Sequence, residues 1–102
     1  MTKEIRKKIE DDLKNNHIML YMKGTPDDPQ CGFSAQVVNI LNSYEVKYGS
    51  RNVLEDWDLR EGIKEYANWP TVPQLYIGGN FVGGCDITVE LHQKQELAKL
   101  LL

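Results

Sequence analysis

The sequence has few cysteines, no long apolar run and no excess of positive charge, and each shortage narrows the possible functions. The two cysteines, Cys31 and Cys85, lie far apart in the chain, and such cysteines in a reducing compartment are more often catalytic or metal-binding than bridged. No apolar run approaches the ~20 residues that a membrane span requires. The net charge of −3 argues against nucleic acid, because its binders usually carry a basic patch. We therefore expect neither a membrane nor a nucleic-acid partner.

The N-terminal segment is charged and has no apolar stretch of the kind found in a secretory signal peptide. We interpret Arg6, Lys7 and Lys8 as part of a solvated helix face, in which Asp11 and Asp12 dilute the positive charge. The expected location is the cytoplasm, or an organelle matrix if a targeting segment has been removed. A length of 102 residues is typical of one domain, here residues 1–102.

Hydrophobic periodicity predicts helices and strands in the order α-β-α-β-α-β-β-α. The first helix follows Thr2, a possible N-cap, and ends near Asn15. The other predicted elements are a strand at 17–22, a loop at 23–30, a helix from Cys31 to about 43, a weaker strand at 46–53 broken by Gly49, a helix from its cap Asp56 to Pro70, a hairpin at 74–84 and a last helical region capped by Asp86. Phe33 and Leu100 are expected to face inward.

This order of elements implies one mixed sheet between helices. The strands of a βαβ unit run parallel with a right-handed crossover, whereas two strands joined by Gly78-Gly79-Asn80 form an antiparallel hairpin. Helices must then cover both faces of the sheet. The predicted fold class is therefore α/β, and the pattern alone leaves several small α/β folds open.

Cys31 follows a proline-containing loop and begins a predicted helix. The free N–H groups and the dipole of a helix start stabilise an anion, so a thiol placed there should have a lowered pKa. The thiolate is both a nucleophile and a metal ligand. Lys23, before the loop, would add positive charge, and Asp27 and Asp28 would oppose it. The alternative is a small buried cysteine with a structural role.

The four residues from Cys31 to Ser34 have the spacing of a Cys-x-x-Cys motif whose second cysteine is replaced by serine. In a dithiol site the second thiol attacks the mixed disulfide and releases the product. A hydroxyl cannot form that disulfide. An external thiol must therefore complete the reaction, or the Cys31 thiolate serves as a ligand.

Four sequence blocks together resemble the CGFS-type monothiol glutaredoxins. The blocks are Lys-Gly-Thr-Pro at 23–26, Pro-Gln-Cys-Gly-Phe-Ser at 29–34, Trp-Pro-Thr-Val-Pro-Gln-Leu at 69–75 and Gly-Gly-Cys-Asp at 83–86. They occur in the family's order and spacing over nearly the whole chain. The resemblance implies a thioredoxin-like fold, with a four-stranded mixed sheet flanked by helices and with Pro73 in cis. Asp28, Asn52 and Val72 depart from residues common in the family.

The resemblance also implies a glutathione site, with Cys31 as nucleophile and metal ligand. The implied glutathione contacts are Lys23, Arg60, Val72, Cys85 and Asp86. Arg60 and Lys64 share one helix face and either could hold a carboxylate, although we interpret Lys64 as solvated. Asp86 at a helix start could face the ammonium group, while nearby N–H groups hold a carboxylate.

Two roles are open for Cys85. It could form a disulfide with Cys31 under oxidation, or it could line the glutathione pocket through its backbone. The second role is favoured because the preceding Gly83-Gly84 indicates a close approach of the backbone to a ligand.

The single thiol at the site also predicts how a cluster would be held. A [2Fe–2S] cluster commonly takes four thiolates, and two chains with two glutathione molecules supply four. The resemblance thus implies a homodimer around the cluster, carriage of the cluster to iron–sulfur acceptor proteins and pairing with a BolA-type protein. The alternative is a glutathione-dependent thiol–disulfide oxidoreductase with Cys31 as nucleophile, and in this family a weak one.

Overall fold

The first helix begins where its capping residue predicts. In the computed structural model, which describes residues 1–102, the Ile5 N–H donates to Thr2 Oγ1 at 3.1 Å, and this side-chain acceptor satisfies one of the free donors of the helix start. Helix α1 spans Lys3–Asn15. The next strand, β1, spans Ile18–Met22 and is buried throughout.

The remaining elements follow the predicted order, with one short hairpin added. Strands β2 and β3 pair as a two-residue hairpin inside the predicted loop. The bounds are β2 Gly24–Thr25, β3 Asp28–Pro29, α2 Gly32–Ser43, β4 Gly49–Asn52, a 3-10 turn Val53–Glu55, α3 Trp57–Ala67, β5 Gln74–Ile77, β6 Asn80–Gly83, α4 Cys85–Gln93 and α5 Leu97–Leu101. Each helix is too short or too polar to cross a bilayer.

The main sheet has four strands in the order β4-β1-β5-β6. Strand β1 pairs in parallel with β4, opposing Leu20 to Ser50, and antiparallel with β5, opposing Leu20 to Leu75. Strands β5 and β6 form the predicted antiparallel hairpin. The mixed sheet and its parallel βαβ unit are as predicted.

Alternate residues of β1 point into two separate cores. Leu20 and Met22 lie in a cluster with α2, α4 and α5, whereas Met19 and Tyr21 lie in a second cluster with α1 and α3. Successive side chains of a strand face opposite sides of the sheet, so the continuous apolar run is explained by helices on both faces. The molecule has three layers, and the carboxyl end of β1 leads into the loop that ends at Cys31.

Several predicted boundaries need correction. The strand predicted at 46–53 begins only at Gly49, where a Cβ would lie 2.5 Å from Asn16 Oδ1, so glycine permits the close approach of the two segments. Helix α3 ends at Ala67, before Pro70, with Asn68 in the left-handed conformation. The last helical region is two helices rather than one. Its N-cap is Gly84, not Asp86, because Asp86 already lies in the first helical turn.

Three burial predictions were also wrong. Phe33 and Leu100 are 62% and 44% exposed, because each lies on the outer face of its helix. Asp12, assigned to a solvated face, is buried. It accepts hydrogen bonds from Tyr21 Oη at 3.0 Å and from Arg51 Nη2 at 2.7 Å. Burial of a carboxylate is tolerated when it is paired and hydrogen-bonded in this way.

Candidate functional site

A cavity of about 510 Å³ opens at the start of α2 and contains every site residue predicted from the sequence. It is bordered by the residue before β2, the first turn of α2, the inner face of α3, the segment that leads into β5 and the first turn of α4. The predicted residues in its wall are Lys23, Cys31, Arg60, Val72, Cys85 and Asp86. Lys64 and Trp69 also contribute to the wall. The fold therefore brings together residues that lie far apart in sequence.

Cys31 is the N-cap residue of α2 and is partly exposed. Backbone N–H groups of the first helical turn, foremost that of Ser34 and then that of Phe33, lower the pKa of the Cys31 thiol, and the charge of Lys23 and the Ser34 hydroxyl act in the same direction. Partial burial opposes these effects without cancelling them. The structure therefore places Cys31 at a helix start, as the sequence predicted, and leaves it partly exposed, unlike the buried cysteine of the alternative.

Ser34 holds the site together in a way that the sequence did not indicate. Its side chain is fully buried, and its Oγ accepts a hydrogen bond from the Lys23 N–H at 3.1 Å. The serine in place of a second cysteine thus ties the end of β1 to the first turn of α2. This contact fixes the backbone of Lys23 next to the first turn of α2.

The three cationic side chains of the cavity wall differ in whether they are free to bind a ligand. Lys64 Nζ forms an ion pair with Glu61 at 3.2 Å. Lys23 and Arg60 take part in no ion pair of the chain, and the buried Arg60 Nε has no hydrogen-bond partner. Buried donors are normally satisfied, so the free Arg60 donor indicates a place for an acceptor from a ligand. Lys64 borders the cavity rather than being simply solvated, but its charge is already partnered.

Val72 presents an unpaired backbone to the cavity. The Val72–Pro73 peptide bond is cis, as the sequence resemblance implied, and neither the N–H nor the C=O of Val72 is among the backbone hydrogen bonds of the chain. Both groups are therefore available to an extended peptide, as expected from the sequence.

A buried amide anchors the segment that leads to Val72. Gln74 Nε2 donates to the carbonyl oxygens of Trp69 at 3.3 Å and Thr71 at 3.2 Å, and Gln74 Oε1 accepts from Tyr76 Oη at 3.0 Å. Gln74 is completely buried, and a buried amide with its groups satisfied rigidifies its surroundings. Sequence patterning placed Gln74 only in a strand and did not reveal this role.

Cys85 differs from Cys31 in chemistry although both thiols are free and face the same cavity. Burial, followed by the charges of Asp86 and Cys31, raises the pKa of the Cys85 thiol. Its S–H donates to Gln36 Oε1 at 3.2 Å. Cys85 is therefore neither a ready nucleophile nor a ready ligand. Of the two glycines before it, Gly83 has a local reason, since a Cβ there would lie 2.7 Å from the Ile87 side chain, whereas a Cβ on Gly84 would lie 3.3 Å from the Pro73 carbonyl oxygen.

Asp86 is exposed and lies in the first turn of α4, immediately after the buried Cys85. Gly84 caps that helix without a side chain, so the first N–H groups of α4 have no side-chain acceptor. A helix start of this kind favours an anionic ligand group. The Asp86 carboxylate beside it offers a position for a cation.

Comparison with known proteins adds independent support. Residues 18–82 match the family model described as glutaredoxin. The chain belongs to the glutaredoxin family. A monothiol glutaredoxin of Lachancea kluyveri, named monothiol glutaredoxin-5, mitochondrial, is 49% identical over 104 residues, which cover 99% of this chain and 73% of the relative. Probable monothiol glutaredoxin 2 of Rickettsia conorii is 54% identical over 93 residues, with coverages of 91% and 87%.

A solved structure gives the same result for the fold. Reduced apo GrxS14 of poplar superposes with a TM-score of 0.83 at 49% identity, over 93% of this chain and 87% of that one. The thioredoxin-like fold is therefore shown. The named relatives are monothiol proteins, which agrees with Ser34 at the position of a resolving cysteine, and the chain is a monothiol glutaredoxin.

The two thiols of this monothiol glutaredoxin are expected to titrate differently. At neutral pH Cys31 should be alkylated by iodoacetamide several-fold faster than Cys85, because the thiolate is the reactive form and the pKa of the Cys31 thiol is lowered while that of the Cys85 thiol is raised. The alkylation rate at Cys31 should rise with pH around a midpoint below that of an ordinary cysteine thiol. The midpoint at Cys85 should lie above that of an ordinary cysteine thiol. Mass spectrometry of the two peptides measures both. In urea the two rates should converge, and equal rates in the folded protein would contradict the assignment of Cys31.

Proposed function

We propose that this monothiol glutaredoxin binds glutathione in the cavity beside Cys31 and carries a [2Fe–2S] cluster, shared between two chains, to acceptor proteins. The observation that carries the proposal is the single activated thiol at the site. Cys31 has a lowered pKa, while its helical neighbour at the second position of the motif is the buried hydroxyl of Ser34. A thiolate that has no second thiol at the neighbouring position of the motif is available as a metal ligand.

Glutathione suits the groups that the cavity leaves unpaired. The peptide has two carboxylates, an ammonium group and a thiol. The unpartnered Arg60 guanidinium and Lys23 fit its glycine carboxylate, and the free backbone groups of Val72 fit its central peptide unit. The first turn of α4 fits the γ-glutamyl carboxylate, and the Asp86 carboxylate fits the ammonium group. In this arrangement the glutathione thiol lies beside Cys31.

The cluster is cargo of this protein, and the donor set of the chain limits how it could be held. A [2Fe–2S] cluster commonly takes four thiolates, whereas this chain offers only Cys31, because the Cys85 thiol is buried, has a raised pKa and donates to Gln36. Two chains and two glutathione molecules complete the set. Because two of these ligands are held only by non-covalent contacts, transfer to an acceptor should be easy. A BolA-type protein could replace one of the two chains.

A second candidate function is glutathione-dependent reduction of mixed disulfides, favoured by the lowered pKa of Cys31 and the nearby Lys23. The Cys31 thiolate would attack the glutathionyl sulfur of a mixed disulfide and release the substrate thiolate, which takes up a proton. A second glutathione thiolate would then attack Cys31-bound glutathione, which yields oxidised glutathione and regenerates the Cys31 thiolate. Ser34 cannot take part in this resolution.

The location also belongs to the proposal. The Lachancea kluyveri relative is named as mitochondrial, and this chain corresponds to 73% of its length. We place the chain in an organelle matrix or in the cytoplasm, and expression of the full-length protein with a fluorescent tag would distinguish the two.

Anaerobic reconstitution with iron and sulfide tests the proposed function. With glutathione present, we expect visible absorbance, about one iron and one glutathione per chain and the elution volume of a dimer, because each chain together with its bound glutathione supplies two of the four ligands. Without glutathione the protein should remain colourless and monomeric. Iron, sulfide and glutathione contents and size-exclusion chromatography are the measurements. A coloured monomer, or a dimer whose cluster holds no glutathione, would exclude the shared-ligand arrangement.

A further inference from the structure

Trp57 is the first residue of α3 and has an unusually exposed side chain. Its indole is 67% exposed, so the ring is not required by either core. The helix start does not explain it, because Asp56 supplies the cap through a hydrogen bond from the Leu59 N–H at 3.1 Å. An exposed large aromatic side chain calls for another explanation.

The contact that the ring makes leads to the candidate site. The guanidinium carbon of Arg60 lies over the Trp57 ring, 5.5 Å from its centroid, and the Arg60 side chain lines the cavity beside Cys31. A cation over an aromatic face is attracted to the ring without using its N–H donors. The edges of the guanidinium therefore stay available for a carboxylate, which binds in the plane of the donors.

Two acidic residues close to Arg60 in sequence, Glu61 and Asp56, are engaged elsewhere. Glu61 pairs with Lys64 at 3.2 Å, and Asp56 pairs with Lys8 at 3.0 Å while it caps α3. Arg60 forms no ion pair within the chain and makes no side-chain hydrogen bond at its buried Nε. The Trp57 ring is thus the contact that restrains the guanidinium before a ligand arrives.

We propose that Trp57 is a positioning residue of the glutathione site, whose ring holds the Arg60 guanidinium in place for a ligand carboxylate. The proposal rests on the proposed function, because it concerns the same cavity. A flexible arginine must be ordered when it binds a carboxylate, and ordering it in advance lowers that cost. Trp57 acts through Arg60 and need not touch the ligand.

Titration calorimetry of the reduced protein with glutathione tests the role of the ring. Trp57→Ala should weaken the affinity by about two- to fivefold, the size of a cation–π contact at an exposed site, and Trp57→Phe should recover most of the loss. In an Arg60→Ala background, Trp57→Ala should cause no further loss. Leu54→Ala is the matched control, because Leu54 is also exposed, at 48%, and lies outside the cavity wall. The melting temperatures of the Trp57 variants should stay close to that of the parent protein.

The outcomes separate this inference from the proposed function. If the parent protein binds no glutathione, the proposed function fails and this inference fails with it. If the parent protein binds glutathione and Trp57→Ala binds equally well, only the inference is overturned. Equal losses in Trp57→Ala and Trp57→Phe would show that the aromatic face is not what positions Arg60. A loss in the Arg60→Ala background would show that Trp57 acts independently of that guanidinium.

Discussion

Cys31→Ser is expected to abolish incorporation of a [2Fe–2S] cluster, with iron content falling to background after anaerobic reconstitution in the presence of glutathione. A serine hydroxyl stays protonated near neutral pH and is a poor substitute for the soft thiolate that these clusters require. The helix start that lowers the pKa of the Cys31 thiol cannot bring a hydroxyl into the same range. Absorbance spectra and the iron and sulfide contents measure the result.

The variant should nevertheless bind glutathione, which makes the experiment specific. Lys23, Arg60 and the Val72 backbone remain in the cavity wall, so calorimetry should give an affinity within a few-fold of the parent protein. Cys85→Ser is the matched control and should keep most of its cluster, because the Cys85 thiol is buried and has a raised pKa. Normal iron content in Cys31→Ser, or its loss in Cys85→Ser, would show that the ligand assignment is wrong.

The sequence predicted the fold, and the start of a helix at Cys31, because both depend on local patterns. A continuous apolar strand, a helix that starts at a cysteine and a glycine-containing hairpin each leave a signature in a few consecutive residues. The topology then follows from rules on crossovers and layers. The family resemblance indicated which distant residues should lie together, and all six of them line the cavity.

The supporting contacts could not be predicted, because they are made between side chains that are distant in the chain or depend on exact helix phase. Asp12 meets Arg51 of a strand 39 residues later, and no local pattern distinguishes it from its exposed neighbour Asp11. Gln74 reaches back to the carbonyl oxygens of Trp69 and Thr71 from inside a strand. Exposure of Phe33 rather than Ser34 follows from the helix phase at its first turn, where apolar periodicity is weakest.

Ser34 stands where a dithiol site has its second cysteine, and it also has a structural role of its own. Because a serine stands in place of the second cysteine, position 34 cannot form a disulfide with Cys31. As a buried hydroxyl, it also accepts the Lys23 N–H and helps to lower the pKa of the Cys31 thiol. A substitution here changes both properties, and a second substitution is needed to separate them.

Ser34→Cys is expected to convert the site from one that offers a single thiolate ligand into a dithiol redox centre. Both positions lie in the first turn of α2 or at its cap, a spacing at which Cys-x-x-Cys disulfides form readily. Oxidised glutathione should oxidise the two thiols to an internal disulfide and be reduced to two glutathione molecules. Reduction of mixed disulfides should then exceed that of the parent protein, since the second thiol resolves the intermediate. The oxidised variant should accept no cluster until it is reduced, because the disulfide removes the Cys31 ligand.

Ser34→Ala is the control that separates the new thiol from the lost hydroxyl. Both variants lose the hydroxyl acceptor for the Lys23 N–H, a loss of about 1 kcal/mol of stability for an ordinary hydrogen bond, so thermal melts should show similar shifts. Only Ser34→Cys should show, in peptide mapping by mass spectrometry, a disulfide between positions 31 and 34, together with the faster reduction of mixed disulfides. The oxidised parent protein should instead carry glutathione on Cys31 or form a slower link to Cys85. If the parent protein reduces glutathione mixed disulfides as fast as Ser34→Cys does, the oxidoreductase function takes precedence over cluster carriage.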